Sequence, residues 1–375
     1  MTISQNCGPK SQQGFGLLEL LVSIAIALIV IGAATRVFTQ SMQSTAFVVQ
    51  RNEMQTELRA AANQVIRDLQ QAGTGVPIGG IPIPQQGVAG GSNPLFGADA
   101  TLTYLSSNNT LTQGRLYKVT PARSASSVGP LRSPATSDAI VITYADPNLN
   151  WSTYSTTTLA SDGSTLTMPS TTSPAVNDAS VGITVGDTLL LHNSVGSAVG
   201  DVTAVNGTSR LISFANSDPL NLNQSTANVG SIKSLRSGSS YPAVTVSRIM
   251  MITYFLKQGG NDCADFCLMR QVGAHTPVPV AEHIVDLQLT YDVFDDTTGA
   301  LTANLPDAAT GSPATPKPNQ IRKINLTITA RSPRPWPGNM KQPGCSTNAA
   351  TACWDYITYT TSIGPRNLSF HDRYN

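Results

Sequence analysis

The sequence is poor in charged side chains. Asp, Glu, Lys and Arg make up 12% of the 375 residues, against about 25% in an average soluble protein. The formal net charge is only +1, so no basic surface predicts binding to nucleic acid. Ser, Thr, Asn and Gly take the place of the charges. This composition favours an exported protein with a polar, uncharged surface.

Catalytic signals are scarce as well. The four histidines, His192, His275, His283 and His371, belong to no catalytic motif. The sequence has neither a G-x-S-x-G nucleophile elbow nor a phosphate-binding glycine loop. His283 opens a strand-like run, where a surface or strand-end role is expected. We therefore expect no enzyme activity and no cofactor, and keep an exported β-rich enzyme only as an alternative.

Cysteine is sparse, and its placement favours disulfides. Cys7 lies near the N-terminus, whereas Cys263, Cys267, Cys345 and Cys353 lie in the last third of the chain. If the first residues are removed, an even number of thiols remains, as an oxidising compartment favours. The simplest pairing is Cys263 with Cys267 and Cys345 with Cys353, and cross-pairing stays open. Reduced, unpaired thiols are one alternative. A four-thiolate zinc site is another, but such sites use short gaps in both halves, so we expect no metal.

One long apolar run contrasts with this polar background. Residues 15–34 carry a single charge, Glu19, and as a helix they would reach about 30 Å, the thickness of a hydrocarbon core. The alternative is a secretory signal peptide cleaved near residues 32–34. A carboxylate in an apolar span costs roughly 2.5–3.5 kcal/mol, which would serve no purpose in a discarded peptide. The run therefore predicts a membrane-spanning helix.

The helical pattern continues beyond the apolar run. Residues 35–72 contain no proline, which permits an amphipathic second half of the same helix. Apolar residues recur there at helical spacings of three or four: Met54, Leu58, Ala61, Val65, Leu69 and Ala72. Gly73 predicts a left-handed C-cap, and Pro77 prevents an easy restart. The predicted helix over residues 15–72 would be about 85 Å long, although Gly32 leaves a break open.

The start of this helix resembles a known processing signal. The letters GFGLLE at residues 14–19, followed by the apolar run, are similar to the class III signal of type IV pilins and type II secretion pseudopilins. In that family a prepilin peptidase cuts after the glycine, and the new N-terminal phenylalanine is methylated. The resemblance implies a leader over residues 1–14, cleavage between Gly14 and Phe15, and N-methylation of Phe15.

Glu19 receives an assembly role through the same resemblance. It would be the fifth residue of the mature chain, four positions from the charged amine of Phe15 and on the same helical face. Each charge is costly alone in the membrane, so Glu19 can pair with its own amine or with that of a neighbouring subunit. In the family this pairing is thought to set subunit register. The alternative is that Glu19 only complements the helix dipole, which contributes about 0.3–1 kcal/mol.

The remainder of the chain predicts a β-rich domain. A Gly/Pro-rich connector over residues 73–97 leads to short alternating runs over residues 98–375. The runs are TLTYL, RLYKVT, AIVITYAD, DTLLLHN, RLISFAN, MMITYFLK, HIVDLQLTYDV, IRKINLTITARS and YITYTTSI. Alternation is clearest at two sets of apolar positions: Leu287, Leu289, Tyr291 and Val293, and Ile324, Leu326, Ile328 and Ala330. A long helix on one apolar face of a mostly antiparallel sheet would complete an α+β fold.

The last runs resemble one pilin type. PVAEHIVDLQLTYDV, IRKINLTITARSPRP and YTTSIGPRNL are similar to the C-terminal half of PilW-type minor pilins, which are related to the J-type pseudopilin of type II secretion. The resemblance implies a tip or initiation complex with other minor pilins and the major pilin, built on an inner-membrane assembly platform. It implies a cytoplasmic N-terminus, an anchor in inner-membrane lipid, and a β domain that is periplasmic and then at the pilus tip. A J-type pseudopilin is the alternative.

Two loops leave further alternatives open. Asp292, Asp295 and Asp296 lie in an acidic turn, but their spacing does not match an EF-hand, so a solvated turn is favoured over a calcium site. The proline-rich loop RSPRPWPGNM at residues 331–340 carries Trp336. It predicts a rigid turn packed by its tryptophan, or a partner contact that would make the tip protein an adhesin.

Overall fold

The computed structural model describes most of the helix and much of the β domain. The described residues are 16–77, 79–84, 102–104, 115–127, 136–147, 149, 158–168, 175–176, 178, 182–216, 218–220, 222–223, 227, 229–295, 298–306, 309–310, 315–316, 318–335 and 354–365. Several predicted positions lie outside these residues: Gly14, Phe15, Asp296, Trp336, Cys345 and Cys353. Predictions about those residues therefore stay predictions.

A single long helix, α1 (Leu17–Gln71), opens the structure. It is continuous through Gly32, so the break left open by the sequence does not occur. Its 55 residues correspond to about 80 Å. Where the apolar run ends, hydroxyl groups bond back to the helix: Thr35 Oγ1 donates to the carbonyl of Ile31 at 2.8 Å and Thr39 Oγ1 to that of Thr35 at 2.9 Å. These polar side chains therefore need no partner outside the helix.

The helix ends where the sequence predicts. The N–H of Ala72 donates to the carbonyl of Leu69 at 3.2 Å, and Gly73 has the predicted left-handed backbone, with φ +81°. The N–H of Gly73 does not return to the helix, however, but donates to the carbonyl of Thr143 at 2.8 Å. The glycine therefore both ends the helix and bonds it to a strand.

Short and long strands make up the rest of the described architecture. They are β1 (Ile81–Pro82), β2 (Leu102–Tyr104), β3 (Arg115–Leu116), β4 (Val119–Ser127), β5 (Thr136–Ala145), β6 (Thr158–Leu159), β7 (Thr165–Thr167), β8 (Thr188–His192), β9 (Ser197–Asp201), β10 (Ala204–Asn206), β11 (Leu211–Ser213), β12 (Thr245–Gln258), β13 (Phe266–Val272), β14 (Val278–Glu282), β15 (Ile284–Phe294), β16 (Leu301–Leu305), β17 (Ala309–Thr310), β18 (Thr315–Pro316), β19 (Ile321–Arg331) and β20 (Tyr356–Ile363). Every pairing among these described strands is antiparallel. Each run that the sequence marked as strand-like overlaps at least one of them.

The described strands form two sheets that carry most of the core. The large sheet has the order β14-β13-β12-β5-β4-β2, with β8 and β9 continuing from β12. The C-terminal sheet has the order β16-β15-β19-β20. A third sheet, β10-β11-β7-β6, and the pairs β1-β3 and β17-β18 complete the described set. The predicted α+β fold, a long N-terminal helix with mostly antiparallel sheets, is confirmed.

The second half of α1 packs against both main sheets. All six residues of the predicted apolar stripe are buried: Met54, Leu58, Ala61, Val65, Leu69 and Ala72. They share one core with residues of the large sheet and the C-terminal sheet, including Ile142, Tyr254, Leu268, Leu287, Leu326 and Ile328. The inward sets predicted for β15 and β19 are buried as well. The helix therefore joins the two sheets through a continuous apolar layer.

Two further cores were not predicted. One lies on the other face of the large sheet and takes Ile81 and Ile83 from the predicted connector, at 0% and 1% exposure. The other fills an insert between β5 and β12 that contains β6 to β11. Its strands are short and rich in Ser, Thr and Gly, so alternation is too brief there to mark β6, β7, β9 and β10 in the sequence.

Candidate assembly site on the N-terminal helix

The helix begins with a carboxylate in its first turn. Gly16 is the N-cap, with an extended backbone, and its carbonyl accepts the N–H of Leu20 at 3.2 Å. No side chain caps the helix, so Glu19 is the acidic group of the first turn, where the helix dipole favours negative charge. The Glu19 side chain is exposed. The dipole thus favours the charge, but the described residues provide no cation beside it.

The apolar half of α1 is exposed along its whole length. This half contains a stretch long and apolar enough to cross a membrane, and none of that stretch is buried within the described structure. Leu17 is 83% exposed and Ile29 is 72% exposed. Each large apolar side chain left in water forgoes about 1.5–3 kcal/mol of burial. The segment therefore requires lipid or neighbouring helices around it.

Exposed apolar residues continue past the predicted span. They are Val37, Phe38, Met42, Val48 and Val49. The first buried residue of the helix is Met54, so residues 17–53 extend for about 55 Å before the helix enters the core. The extended part is longer than one hydrocarbon core, which leaves an exposed stem between the predicted membrane span and the β domain.

A buried ion pair attaches the helix to the large sheet. The Asp68 carboxylate accepts a hydrogen bond from the Tyr254 hydroxyl at 2.6 Å and from Arg270 Nε at 2.9 Å. Burial and the neighbouring Asp68 charge both raise the pKa of Tyr254, which therefore stays protonated and donates. Sequence reasoning missed this site. Asp68 lies three residues after Val65 and four before Ala72, and this helical spacing could have marked it as a core-facing carboxylate.

A second cluster joins the two main sheets through a disulfide loop. Cys263 and Cys267 are bonded to each other, as predicted. The loop between them carries Asp265, whose carboxylate oxygens both accept from Arg331 Nη2 at 2.6 Å. The Arg331 guanidinium also lies over the ring of Trp354, 4.1 Å from its centroid. Because β13 and β19 belong to different sheets, this charge and ring contact connects them.

His283 lies at a strand end, next to this cluster. It occupies the single residue between β14 and β15, with a left-handed φ of +58°. Its Nδ1 lies 3.2 Å from an oxygen of Asp265. The predicted strand-end position is therefore observed, and the contact with Asp265 adds to the network that Arg331 forms.

The zinc alternative does not hold for the described cysteines. Cys263 and Cys267 bond to each other, so they are not free to serve as two thiolates of a metal site. In the described part of the chain, no group of three or more His, Cys, Asp or Glu side chains is arranged to hold a metal ion. Pairing of Cys345 with Cys353 lies outside the described residues and stays a prediction.

The acidic turn differs from the solvated turn that was predicted. Asp292 and Asp295 are 8% and 7% exposed. Asp292 Oδ1 accepts from the backbone N–H of Asn304 at 3.0 Å and from Asn325 Nδ2 at 3.1 Å, while Lys323 lies 3.6 Å from Oδ2. The carboxylate therefore connects β15 to its two neighbouring strands. Asp292 lies between the apolar positions Tyr291 and Val293, so alternation assigns it to the polar face of β15. Alternation cannot show which partners it contacts there.

The insert contacts the large sheet through a further polar cluster. Arg248 contacts the carboxylates of Asp146 and Asp187. His275 Nε2 lies 3.0 Å from Asp187 Oδ1, and this bond raises the pKa of His275. Nearby, burial raises the pKa of Asp201 to about 7, and its Oδ1 has no hydrogen-bond partner among the described residues. His192 Nδ1 lies 2.9 Å from Ser197 Oγ, so each histidine in the described part of the chain has a polar side-chain partner.

Comparison with known proteins agrees with the resemblance at the N-terminus. The family model for the prokaryotic N-terminal methylation motif matches residues 9–35. No curated protein and no solved structure matches the chain. The matched motif covers the predicted cleavage site and the apolar run, and it points to a structural pilin rather than an enzyme. It implies processing by prepilin peptidase and partners within a pilus or pseudopilus.

The motif lies at the start of a helix whose apolar half is exposed and whose second half is buried against antiparallel sheets. An exposed apolar helix near the N-terminus supports membrane anchoring. Together, the motif, the helix and the α+β arrangement support a type IV pilin-like protein.

Proposed function

We propose that this chain is a PilW-type minor pilin of a type IV pilus. Prepilin peptidase removes residues 1–14, Phe15 is methylated, and the mature chain enters a tip or initiation complex that promotes pilus assembly. Its partners are other minor pilins, the major pilin and the inner-membrane assembly platform. The observation that carries the proposal is the exposed apolar half of α1 with one carboxylate, Glu19, in a segment that matches the methylation motif.

Glu19 is the assembly residue in this proposal. After cleavage, the amine of Phe15 lies one helical turn before Glu19, so each supplies the counter-charge that the other needs in lipid. Because Glu19 is exposed on the helix, the amine of a neighbouring subunit can also reach it. Pairing between subunits favours one axial register of neighbouring helices, since any other register leaves both charges alone in the apolar layer.

The location follows from the same segment. The N-terminus lies in the cytoplasm and residues 15–34 span the inner membrane once. The β domain lies in the periplasm until the chain is extracted into the pilus, where it reaches the tip. The long exposed stem beyond the span supports this route, because its apolar residues match a neighbouring helix better than water.

Processing is the first test of the proposal. The intact mass and the N-terminal residue are measured on the mature chain extracted from membranes. A chain that begins at Phe15 with one added methyl group is expected. A chain that begins after Ala34 would show a conventional signal peptide, and the assembly role of Glu19 would be withdrawn.

The Glu19→Gln variant tests the assembly step, with Glu57→Gln as its matched control. Glu57 is an exposed carboxylate on the same helix, outside the apolar run. We expect Glu19→Gln to be exported normally but to reduce the number of pili by about tenfold or more, since about 1.4 kcal/mol of lost pairing corresponds to a factor of ten. Glu57→Gln should leave piliation unchanged. Equal piliation in both variants would remove Glu19 from assembly.

A deletion strain, in which piliation and type II secretion are both measured, distinguishes a pilus protein from a pseudopilus protein. A PilW-type protein is required for pili, whereas a J-type pseudopilin is required for secretion through the type II machine. Loss of piliation with normal secretion in a deletion strain supports the proposal. Loss of secretion with normal piliation would assign the chain to the pseudopilus. Normal piliation with lost surface attachment, after trimming of residues 331–340, would indicate an adhesin instead.

A further inference from the structure

Strand β20 forms one edge of the C-terminal sheet. Among the described residues it pairs on one side only, with β19. The register is unbroken along the strand, from Arg331 opposite Tyr356 to Ile324 opposite Ile363. Backbone N–H and C=O groups therefore point outward along its other side, where they can bond to an added strand.

The other long edges of the two main sheets are interrupted, but β20 is not. In β14 the register to β13 shifts between Leu268 and Met269, and Pro279 removes a donor. The register of β16 to β15 also shifts, and Asn304 has a left-handed backbone, with φ +59°. β20, with the sequence YITYTTSI, contains no proline, glycine or charged residue. Within the strand itself, β20 lacks the proline, bulge and charge by which many sheet edges resist pairing.

The core and the flanking residues hold β20 in a fixed position. Its inner face packs on the helix core through Ile357, Tyr359 and Ile363, and Tyr356 at the start of the strand also contacts this core. Just before the strand, the carbonyl of Asp355 accepts the N–H of Ser332 at 2.8 Å, and the N–H of Asp355 donates to Ser332 Oγ at 3.1 Å. A partner strand would therefore find the backbone already ordered and lose less entropy on binding.

The outer side of β20 is polar but neutral. Thr358, Thr360 and Ser362 are exposed. Their hydroxyl groups bond to the side chains of the neighbouring strand, with Thr358 3.0 Å from Thr329, Thr360 3.3 Å from Thr327, and Ser362 2.7 Å from Asn325. No side chain of β20 itself is charged, so an uncharged, hydroxyl-rich or β-branched segment fits this edge best.

We propose that β20 accepts an added antiparallel strand from a different membrane-anchored subunit, through backbone hydrogen bonds along its outer edge. This inference rests on the proposed function, because the partner is a neighbouring subunit of the same assembly. The partner strand is extended and uncharged. The interaction is β-strand addition, in which backbone bonds provide affinity and side-chain fit provides specificity.

Anchoring makes a second copy of this chain unsuitable as the partner. Two copies that pair antiparallel through β20 are related by a twofold axis normal to the sheet. Since α1 packs along the face of this sheet, that rotation reverses the helix direction and sends the two anchors opposite ways. A copy could instead offer its other edge, β16, but the register shift there interrupts the backbone row.

Site-specific photo-crosslinking in intact cells tests the edge directly. A benzophenone amino acid replaces Thr360 in the full chain, and the matched control carries it at Thr290. Thr290 lies on the same sheet face, but its strand, β15, is separated from β20 by β19. We expect Thr360 to give an adduct with an extended, uncharged segment of a different anchored subunit, located by peptide mass spectrometry. We expect no such adduct from Thr290.

A lysine substitution on β20 provides a second test of strand addition. In chains that carry the crosslinker at Thr358, Thr360→Lys should reduce the adduct about tenfold, because lysine at an edge opposes strand pairing. Thr290→Lys should leave the adduct unchanged. Thermal unfolding of both variants should match the parent chain, which shows that the sheet is intact. Equal adduct yields in the two lysine variants would overturn the proposal.

The remaining outcomes are decisive as well. An adduct with a second copy, with residues 366–375 of the same chain, or with no protein would overturn strand addition. If the mature chain begins at Phe15 and piliation depends on Glu19, but Thr360 gives no adduct, strand addition fails and the proposed function stands. If the N-terminus is not processed, the proposed function itself fails.

Discussion

The Asp68→Ala variant tests whether a buried ion pair fixes α1 to the large sheet. Asp68 and Tyr254 are 2% and 0% exposed, and the Arg270 side chain is 19% exposed. The substitution removes the carboxylate that both groups contact. It leaves the mostly buried Arg270 guanidinium without this counter-ion and the buried Tyr254 hydroxyl without its acceptor.

The expected loss of stability follows from this geometry. Removing one partner of a buried ion pair costs about 3–5 kcal/mol. Arg270 keeps some contact with solvent, which favours the lower end, about 3 kcal/mol. Tyr254→Phe deletes one hydrogen bond to a charged acceptor and should cost less, about 1.5–3 kcal/mol. For a domain of this size each kcal/mol lowers Tm by roughly 2–4 °C, so Asp68→Ala should lower Tm by roughly 6–12 °C.

The assay is thermal and denaturant unfolding of the full chain in detergent, followed by circular dichroism. Glu57→Ala, an exposed carboxylate on the same helix, is the control and should change stability by less than about 0.5 kcal/mol. The double variant Asp68→Ala with Arg270→Ala should cost less than the two single losses added, since the pair is then removed together. Additive losses, or an Asp68→Ala chain as stable as the control, would refute the ion pair as the attachment.

Three further predictions concern the β domain. Burial raises the pKa of Asp201 to about 7, so this carboxyl keeps its proton to a higher pH in the folded state than in the unfolded state. The free energy of unfolding should therefore fall as the pH rises from about 4 to 7, by on the order of 4 kcal/mol. In pH-dependent unfolding, Asp201→Asn should flatten this fall. Arg331→Lys loses the hydrogen bonds to both carboxylate oxygens of Asp265 and the ring contact with Trp354. Denaturant unfolding should show a loss of stability of about 1–3 kcal/mol, and no loss would show that Arg331 does not stabilise the contact between the two sheets. At Gly230 a Cβ would lie 2.5 Å from a backbone carbon of the connector, so Gly230→Ala should lower Tm more than Gly238→Ala, where nothing lies within 4 Å.

The helix could be predicted because its signals are local. Spacing of three and four marks the buried stripe from Met54 to Ala72, and the absence of proline permits one continuous element through Gly32. The left-handed conformation of Gly73 follows from glycine chemistry at a helix end. Its hydrogen bond to Thr143 could not be predicted, because that strand lies some 70 residues further along the chain.

Long strands could be predicted for the same reason, whereas several short strands of the insert could not. β15 and β19 are eleven residues long each, and apolar residues alternate over residues 287–293 and 324–330, so these buried faces are clear in the letters alone. β6 has two residues and β10 has three, which is too short for any period. The core of the insert is assembled from many such fragments, and only their tertiary pairing makes them a sheet.

The sequence by itself determined the processing motif, the exposed apolar span with Glu19, the amphipathic helix and the antiparallel α+β class. These depend on neighbours along the chain, within one or two helical turns or a few strand residues. Tertiary structure alone decided which polar groups meet: Asp68 with Arg270, and Asp265 with Arg331. Such pairs lie far apart in sequence, and their partial or complete burial strengthens them because less water screens the charges. The position of β20 at an edge of the described C-terminal sheet belongs to the same class, since only the assembled sheet shows the order of its strands.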